Sequence, residues 1–334
     1  MPVTSREIHL AARPAGEPKA SDFRMVEATV PDPGPGQVLV KNAWMSVDPY
    51  MRGRMNDVKS YVPPFQLDAP LDGAAVGTVV ASEADGVPAG ATVLHGLGWR
   101  EYALLDARHA QVVDATKVDT QAYLGALGMT GLTAYVGLTR IAPVAAGETV
   151  FISGAAGAVG TVAARVARHL GAARVVGSAG GPEKVRRLTA EFGYDAGIDY
   201  REGHLERRLA QAAPDGVDVY FDNVGGDHLR AALALLNPFG RVAMCGAISQ
   251  YNATAPVPGP DNLALAVAKR LTLRGFIVTD HQDLAAEYAR LAADWVRDGS
   301  LRTEETVVDG IDHAVDAFLG VLRGANTGKM LVRL

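Results

Sequence analysis

Two domains of different class are predicted: an α/β domain on a doubly wound parallel sheet, and a second, β-rich domain. Three observations predict them. The 334 residues suffice for about two domains at ~150 residues each. From about residue 123, continuous apolar runs alternate with helical patterns, as in strands buried on both faces by crossover helices. Before that point, short strand-like runs are separated by turn clusters, as in a small antiparallel barrel or sandwich.

Residues 1–122 form the first part of the β-rich domain. Pro31-Asp32-Pro33-Gly34-Pro35-Gly36 is a turn cluster. Short β runs follow at 37–41, 77–82 and 91–94. Residues 123–300 form the α/β domain. Its first strand spans 149–153, a glycine-rich turn follows, and a helix covers 162–170. The alternation continues with strand 174–178, helix 182–192, strand 197–200, helix 205–213, strand 217–221, helix 228–236 and strand 241–246. A helix over 263–269, a strand over 271–278 and an amphipathic helix over 284–296 complete it. In 301–334, strands at 306–308 and 329–333 bracket a helix over 311–322. This tail is expected to return to the first domain, with a cleft between the two lobes.

Composition narrows the function classes. Lys plus Arg is 32 and Asp plus Glu is 37, a net charge of −5. That balance speaks against nucleic acid or an anionic membrane as partner. The single cysteine, Cys245, can form neither an internal disulfide nor a cysteine-rich zinc lobe. The eight histidines include no H-E-x-x-H pair, so a catalytic zinc is not expected. There is no G-x-S-x-G elbow, and Gly328-Lys329 is not part of a P-loop. Charges at Arg6, Glu7 and Arg13 with no apolar run behind them predict no signal peptide and a cytoplasmic protein.

The turn after the first α/β strand reads Gly154-Ala155-Ala156-Gly157-Ala158-Val159-Gly160. It is similar to G-x-G-x-x-G, with Ala155 replacing the first glycine. Gly157 lets backbone amides approach a pyrophosphate, Gly160 lets the helix pack on the strand, and the helix N-terminus favours an anion. Ala156, Gly157, Ala158, Val159 and Gly160 are therefore candidate dinucleotide ligands. The second strand ends in Gly177-Ser178-Ala179-Gly180-Gly181, without the acid that binds an NAD ribose. Lys184 falls in the first turn of the next helix, where the dipole disfavours a cation. A 2′-phosphate accounts for it and points to NADP(H), with Ser178 and Tyr200 as neighbours; pairing of Lys184 with Glu183 is the alternative.

Further motifs follow in order: Val47-Asp48-Pro49-Tyr50-Met51-Arg52, Gly128-Met129-Thr130-Gly131-Leu132-Thr133-Ala134-Tyr135, Gly181-Pro182-Glu183-Lys184, Phe221-Asp222-Asn223-Val224-Gly225-Gly226, Cys245-Gly246-Ala247-Ile248-Ser249-Gln250-Tyr251-Asn252, Arg274-Gly275-Phe276 and Asn326-Thr327-Gly328-Lys329. With this set the chain resembles the zinc-independent medium-chain dehydrogenases/reductases, in the branch of prostaglandin/leukotriene reductases and alkenal double-bond reductases. The zinc enzymes of that superfamily carry G-H-E-x-x-G; the matching segment here is Asp72-Gly73-Ala74-Ala75-Val76-Gly77. The resemblance implies a Rossmann cofactor domain beside a GroES-like catalytic domain. It implies that Lys184 and Tyr200 contact the 2′-phosphate, and that Asn223 and Asn326 hold the cofactor. Gly246, Ile248 and Ser249, on the loop after a strand, and Cys245, Phe276 and Val278 are further cofactor-binding candidates. Tyr251 is similar to the family's active-site tyrosine. Tyr50 is a second catalytic candidate, and the resemblance implies a substrate pocket lined by Tyr50, Met129, Thr130 and Tyr251; relatives often have proline in place of Thr130. Met45, Met51, Met55 and Met129 are candidates for an adaptable apolar pocket.

The chemistry this implies is reduction of the C=C bond of an enone or alkenal, a small-molecule substrate. Hydride reaches the β-carbon, and Tyr251 donates to the enolate oxygen. Quinone reduction and non-catalytic NADPH binding are the alternatives. An apolar strand at 271–278, near a sheet edge, predicts a homodimer through the cofactor domains.

Overall fold

The protein is described here as a computed structural model covering residues 2–116 and 118–334. It divides into two compact units, one running up to Leu124 and taking in Glu305–Leu334, the other spanning Gly125–Glu304.

The first unit opens with β1 (Val3–Leu10) and β2 (Phe23–Val30), a two-stranded antiparallel ribbon absent from the sequence reading. Polar residues hide its inward face: Ser5 and Glu7 are buried, and Ser5 Oγ accepts from the Tyr102 amide at 3.0 Å. Next come β3 (Gln37–Ser46), the short α1 (Met51–Arg54), β4 (Ala75–Ser82), β5 (Thr92–His95), β6 (Tyr102–Asp106) and β7 (Gln111–Val112). β3 runs five residues beyond the predicted 37–41. Its buried Asn42 interrupts the apolar pattern, yet every polar atom of that amide is used. Nδ2 donates to the Leu97 and Arg100 carbonyls at 3.0 and 2.9 Å, and Oδ1 lies 2.9 Å from His95 Nε2.

The second unit begins with α2 (Met129–Val136), which continues as a wider turn over Gly137–Ile141. The alternating region is β8 (Thr149–Ile152), α3 (Ala158–His169), β9 (Arg174–Ala179), α4 (Pro182–Glu191), β10 (Ala196–Asp199), α5 (Leu205–Ala212), β11 (Val217–Asp222), α6 (Gly226–Leu235), β12 (Leu236–Met244), α7 (Leu265–Ala268), β13 (Thr272–Gly275) and α8 (Ala285–Arg297). All six strands are parallel, in the order β10-β9-β8-β11-β12-β13. Val150, Phe151 and Ile152 in β8 and Val219, Tyr220 and Phe221 in β11 are fully buried, as central strands between helical layers require. The chain steps outward from β8 on one side and from β11 on the other. The switch point therefore lies between their carboxyl ends, where such sheets bind ligands.

Several predicted boundaries shift. α3 starts at Ala158 rather than 162, because Gly157 is its extended N-cap. β12 ends at Met244, so Cys245 lies past the strand and not within it. The strand expected over 271–278 shrinks to β13, and a 3-10 turn takes Val278–Leu284. The helix expected over 263–269 reduces to one turn with no buried residue.

The tail supplies β14 (Glu305–Asp309), α9 (Ala314–Leu322) and β15 (Lys329–Arg333). β15 pairs antiparallel with β3 and parallel with β14, placing both in the seven-stranded sheet of the first unit. Phe318 of α9 stands edge-on to both Trp99 and Phe23, with centroids 6.1 Å apart, at the centre of that unit's core. Among the described residues no helix is long and apolar enough to cross a membrane.

Candidate active site

The predicted phosphate loop joins β8 to α3. Its N-cap, Gly157, supplies no side-chain cap, so the first-turn amides of α3 are directed at whatever occupies the loop. Gly160 makes the turn tight: a Cβ there would lie 2.5 Å from the Gly154 carbonyl oxygen and 2.6 Å from Ala155 Cα. From below, the buried Tyr194 hydroxyl donates to the Gly160 carbonyl at 2.6 Å. Ala156 is buried, while Gly157, Ala158 and Val159 are half-buried at the rim.

A buried polar network underlies the switch point. Asp222 closes β11, and its Oδ1 accepts from the Tyr220 hydroxyl (2.6 Å), the Ser153 hydroxyl (3.2 Å) and the amides of Val224 (3.0 Å) and Gly225 (2.8 Å). Burial pushes the Asp222 carboxyl up, and those four donors pull against it. Asn223 is fixed by the same network, its amide donating to Ser153 Oγ at 3.0 Å and its side chain to the Ser153 carbonyl at 2.7 Å. Asp222 is absent from the sequence candidates. The available signal was an acid ending an otherwise apolar strand just before Asn-Val-Gly-Gly.

Residues 245–251 are strapped onto this turn. The amides of Cys245 and Gly246 donate to the Asp222 carbonyl at 2.9 and 3.0 Å. The Ile248 amide reaches the Asn223 carbonyl at 3.4 Å, and the Ser249 hydroxyl donates to the Val224 carbonyl at 2.6 Å. Tyr251 caps the 3-10 turn Ile248–Gln250. Its phenol lies back over the strap: a Cβ on Gly246 would come 3.1 Å from the hydroxyl and 3.4 Å from the Asn223 carbonyl oxygen. Glycine at 246 is what permits that close approach. Thus Asn223, Gly246 and Tyr251 meet at the carboxyl ends of β11 and β12. Cys245 is half-buried, and burial first, then the Asp222 carboxylate, pushes its thiol up to about 12. Phe276 and Val278 are half-buried and pack against the unit's core, Phe276 edge-on to Phe221 at 6.3 Å.

A second cluster gathers where β9 enters α4. Ser178 is fully buried, and its Oγ has no hydrogen-bond partner. Gly180 faces the Tyr200 hydroxyl, which would stand 2.9 Å from a Cβ at that position. Lys184 is half-buried; burial, and then the neighbouring Arg201, lower its pKa. Glu183, the alternative partner, is engaged by Arg186 at 2.6 Å.

The remaining candidates are placed differently. Thr130 is buried and donates to the Gly125 carbonyl at 2.8 Å, a bond no proline could make. Met129 is exposed, whereas Met45, Met51 and Met55 are fully buried in the core of the first unit. Tyr50 and Asn326 belong to the first unit. Asn326 donates to the Gly328 carbonyl at 2.7 Å. Tyr50 is half-buried, and burial, followed by the Asp48 carboxylate, raises its pKa. Two motifs that look independent in the sequence meet here. Lys329 Nζ lies 2.5 Å from Asp48 Oδ1 and 3.0 Å from the Val47 carbonyl, and Ser46 Oγ donates to the other Asp48 oxygen. In the segment matching G-H-E-x-x-G, Asp72 is paired with Arg54. Among the described residues no group of three or more His, Cys, Asp or Glu side chains is placed to hold a metal ion.

Comparison with known proteins bears on this arrangement. Residues 6–113 match a family described as the N-terminal domain of oxidoreductase, and 158–294 match one described as zinc-binding dehydrogenase. The NADPH-dependent curcumin reductase of Escherichia coli (strain K12) is 39% identical over 330 residues, covering 97% of this chain and 95% of that protein. The NADP(+)-dependent 2-alkenal reductase of Nicotiana tabacum is 37% identical over 337 residues, covering 99% and 97%. The chain belongs to the zinc-independent medium-chain dehydrogenases/reductases. Within that family, the crystal structure of CurA in complex with NADPH from Vibrio vulnificus has a TM-score of 0.94 at 38% identity, with 98% of each chain covered. Two features of this dehydrogenase/reductase fit a dinucleotide bearing a ribose phosphate. They are the tight loop closed by Gly160 and the end of β9, where the Ser178 hydroxyl is buried without a partner and the Tyr200 hydroxyl faces Gly180.

Proposed function

We propose that the protein is an NADPH-dependent reductase of the C=C bond of α,β-unsaturated ketones and aldehydes. The observation that carries the reading is the Tyr251 phenol, laid over Gly246 and beside Asn223 at the switch point of the parallel sheet. The names of the curcumin and 2-alkenal reductases support it. NADPH, when bound, supplies the hydride that the β-carbon of the substrate accepts. The amides opening α3 and the loop at 156–160 hold the pyrophosphate; Ser178, Lys184 and Tyr200 hold the 2′-phosphate. Asn223, Gly246, Ile248 and Ser249 form the wall beneath the reacting end.

Hydride arrival at the β-carbon leaves negative charge on the carbonyl oxygen. Tyr251 donates a hydrogen bond to that oxygen, which stabilises the enolate. A phenol is protonated at neutral pH and is suited to this task. The α-carbon then gains a proton, from solvent or through Tyr251, giving the saturated carbonyl product. Tyr251→Phe tests the assignment. We expect turnover of an enone to fall ~10²-fold or more, in line with loss of one donor to a developing oxyanion, with NADPH affinity nearly unchanged. Wild-type turnover in the variant would remove Tyr251 from the reaction.

The same unit is proposed to form a homodimer. β13 is the outermost strand of the sheet, and Phe239, Leu263 and Val267 near it are exposed, which suits pairing with a second copy. Sedimentation at a mass near twice that of the chain is the expected result, and a monomer at micromolar concentration would contradict it.

A further inference from the structure

Arg201 follows Tyr200 at the end of β10 and has no role in the account so far. Its guanidinium lies across the glycine pair that opens α4. A Cβ on Gly180 would come 2.8 Å from Arg201 Nε and 3.1 Å from its Cζ, and one on Gly181 would come 3.7 Å from Nη1. The Tyr200 hydroxyl stands 2.9 Å from that Gly180 position. Asp199 holds the two segments in register, its Oδ1 accepting the amides of both Gly181 and Arg201 at 3.0 Å. Nearby acids are engaged elsewhere: Glu183 pairs with Arg186, and Glu202 with Arg208. Two cations thus share one corner: burial first, and then the repulsion of Arg201, lower the pKa of Lys184. The fully buried Ser178 Oγ, without a hydrogen-bond partner, lies next to the last residue of β9, just before the same glycines.

We propose that Arg201 is a second cationic ligand of the cofactor 2′-phosphate, forming with Lys184 a two-cation socket that sets preference for NADP(H) over NAD(H). This rests on the reading of the corner as a 2′-phosphate site. A phosphate monoester carries close to two negative charges at neutral pH and offsets both cations, whereas a ribose hydroxyl offsets neither. Arginine presents a planar fork that can take two phosphate oxygens at once; lysine acts as a point charge. The socket therefore discriminates by charge and by shape.

Titration calorimetry with NADP⁺, NAD⁺ and 2′,5′-ADP on the full chain tests this, using wild type, Arg201→Gln, Arg201→Lys and Lys184→Gln. Removing one charge-assisted contact is expected to weaken NADP⁺ and 2′,5′-ADP by about tenfold to a hundredfold. NAD⁺ binding stays within about twofold on the same reasoning, and Arg201→Lys keeps part of the preference. In the ligand-free protein, Arg201→Gln also raises the Lys184 pKa, read by NMR of labelled lysine. If Arg201→Gln leaves the NADP⁺ preference intact while Lys184→Gln abolishes it, Arg201 is not a ligand and the phosphate reading stands. If wild type shows no preference for NADP⁺, the phosphate reading falls and the proposal falls with it. Should Arg201→Gln lose its circular-dichroism signature, the Arg201→Lys titration and its Lys184 pKa decide.

Discussion

Replacing Lys329 by methionine isolates the contact that joins two distant motifs of the first unit. The side chains of Lys329 and Asp48 are only 3% and 7% exposed, and the pair is separated by 2.5 Å. Methionine keeps the length of the side chain but removes the ammonium. The Asp48 carboxylate is then left in the core with a hydrogen bond from the Ser46 hydroxyl but no opposite charge. Breaking a buried pair from one side costs about 3–5 kcal/mol. The Val47 carbonyl also loses its donor, which adds roughly 1 kcal/mol. The double variant Lys329→Met/Asp48→Leu removes both charges, and an apolar replacement of a buried pair is often close to neutral, so it should recover most of the loss, to within about 2 kcal/mol of wild type. Urea unfolding followed by fluorescence reads this, since Trp44 and Trp99 lie in the first unit. A single variant costing under about 1 kcal/mol, or a double variant no better than the single one, would refute the reasoning.

Other expectations follow from the same geometry. Gly160→Ala places a methyl 2.5 Å from a backbone oxygen, so the loop must move; stability falls by about 1–3 kcal/mol and NADPH binding weakens at least tenfold by titration. His95 and His228 are buried and lowered to about 4 by desolvation, so the native state keeps them neutral while the unfolded chain protonates them near 6.5. Their contribution is present above pH 6.5 and is lost as pH falls toward 4, by roughly 2–3 kcal/mol each. Urea midpoints that stay flat from pH 7 to pH 4.5 would contradict this.

Much of the second unit was legible because its strands are short apolar runs and its loop glycines are sterically required. Ile152 through Gly160 announced a tight strand-to-helix turn, and Lys184 stood out as a cation at the wrong end of a helix. The first unit was harder to read. Ser5, Glu7 and Asn42 are polar residues in buried strand positions, and their hydrogen bonds come from segments distant in sequence. No local pattern reveals such partners. Asp222 has the same character, a carboxylate that looks solvated in the sequence but receives four donors in the core. Arg201 becomes meaningful only when β10 lies beside β9, bringing it onto Gly180. Lys329 and Asp48 are 281 positions apart and meet only because β15 returns to β3.

The central claim is that hydride arrives at carbon and the charge it creates collects on a carbonyl oxygen beside Tyr251. Incubating the enzyme with an enone and NADPH deuterated at the transferring position, then locating the label by NMR, tests it most directly. Deuterium on the β-carbon of a saturated ketone is the predicted result. Deuterium on the carbonyl carbon of an allylic alcohol, or cofactor oxidation with benzoquinones but with no enone or alkenal, would contradict it.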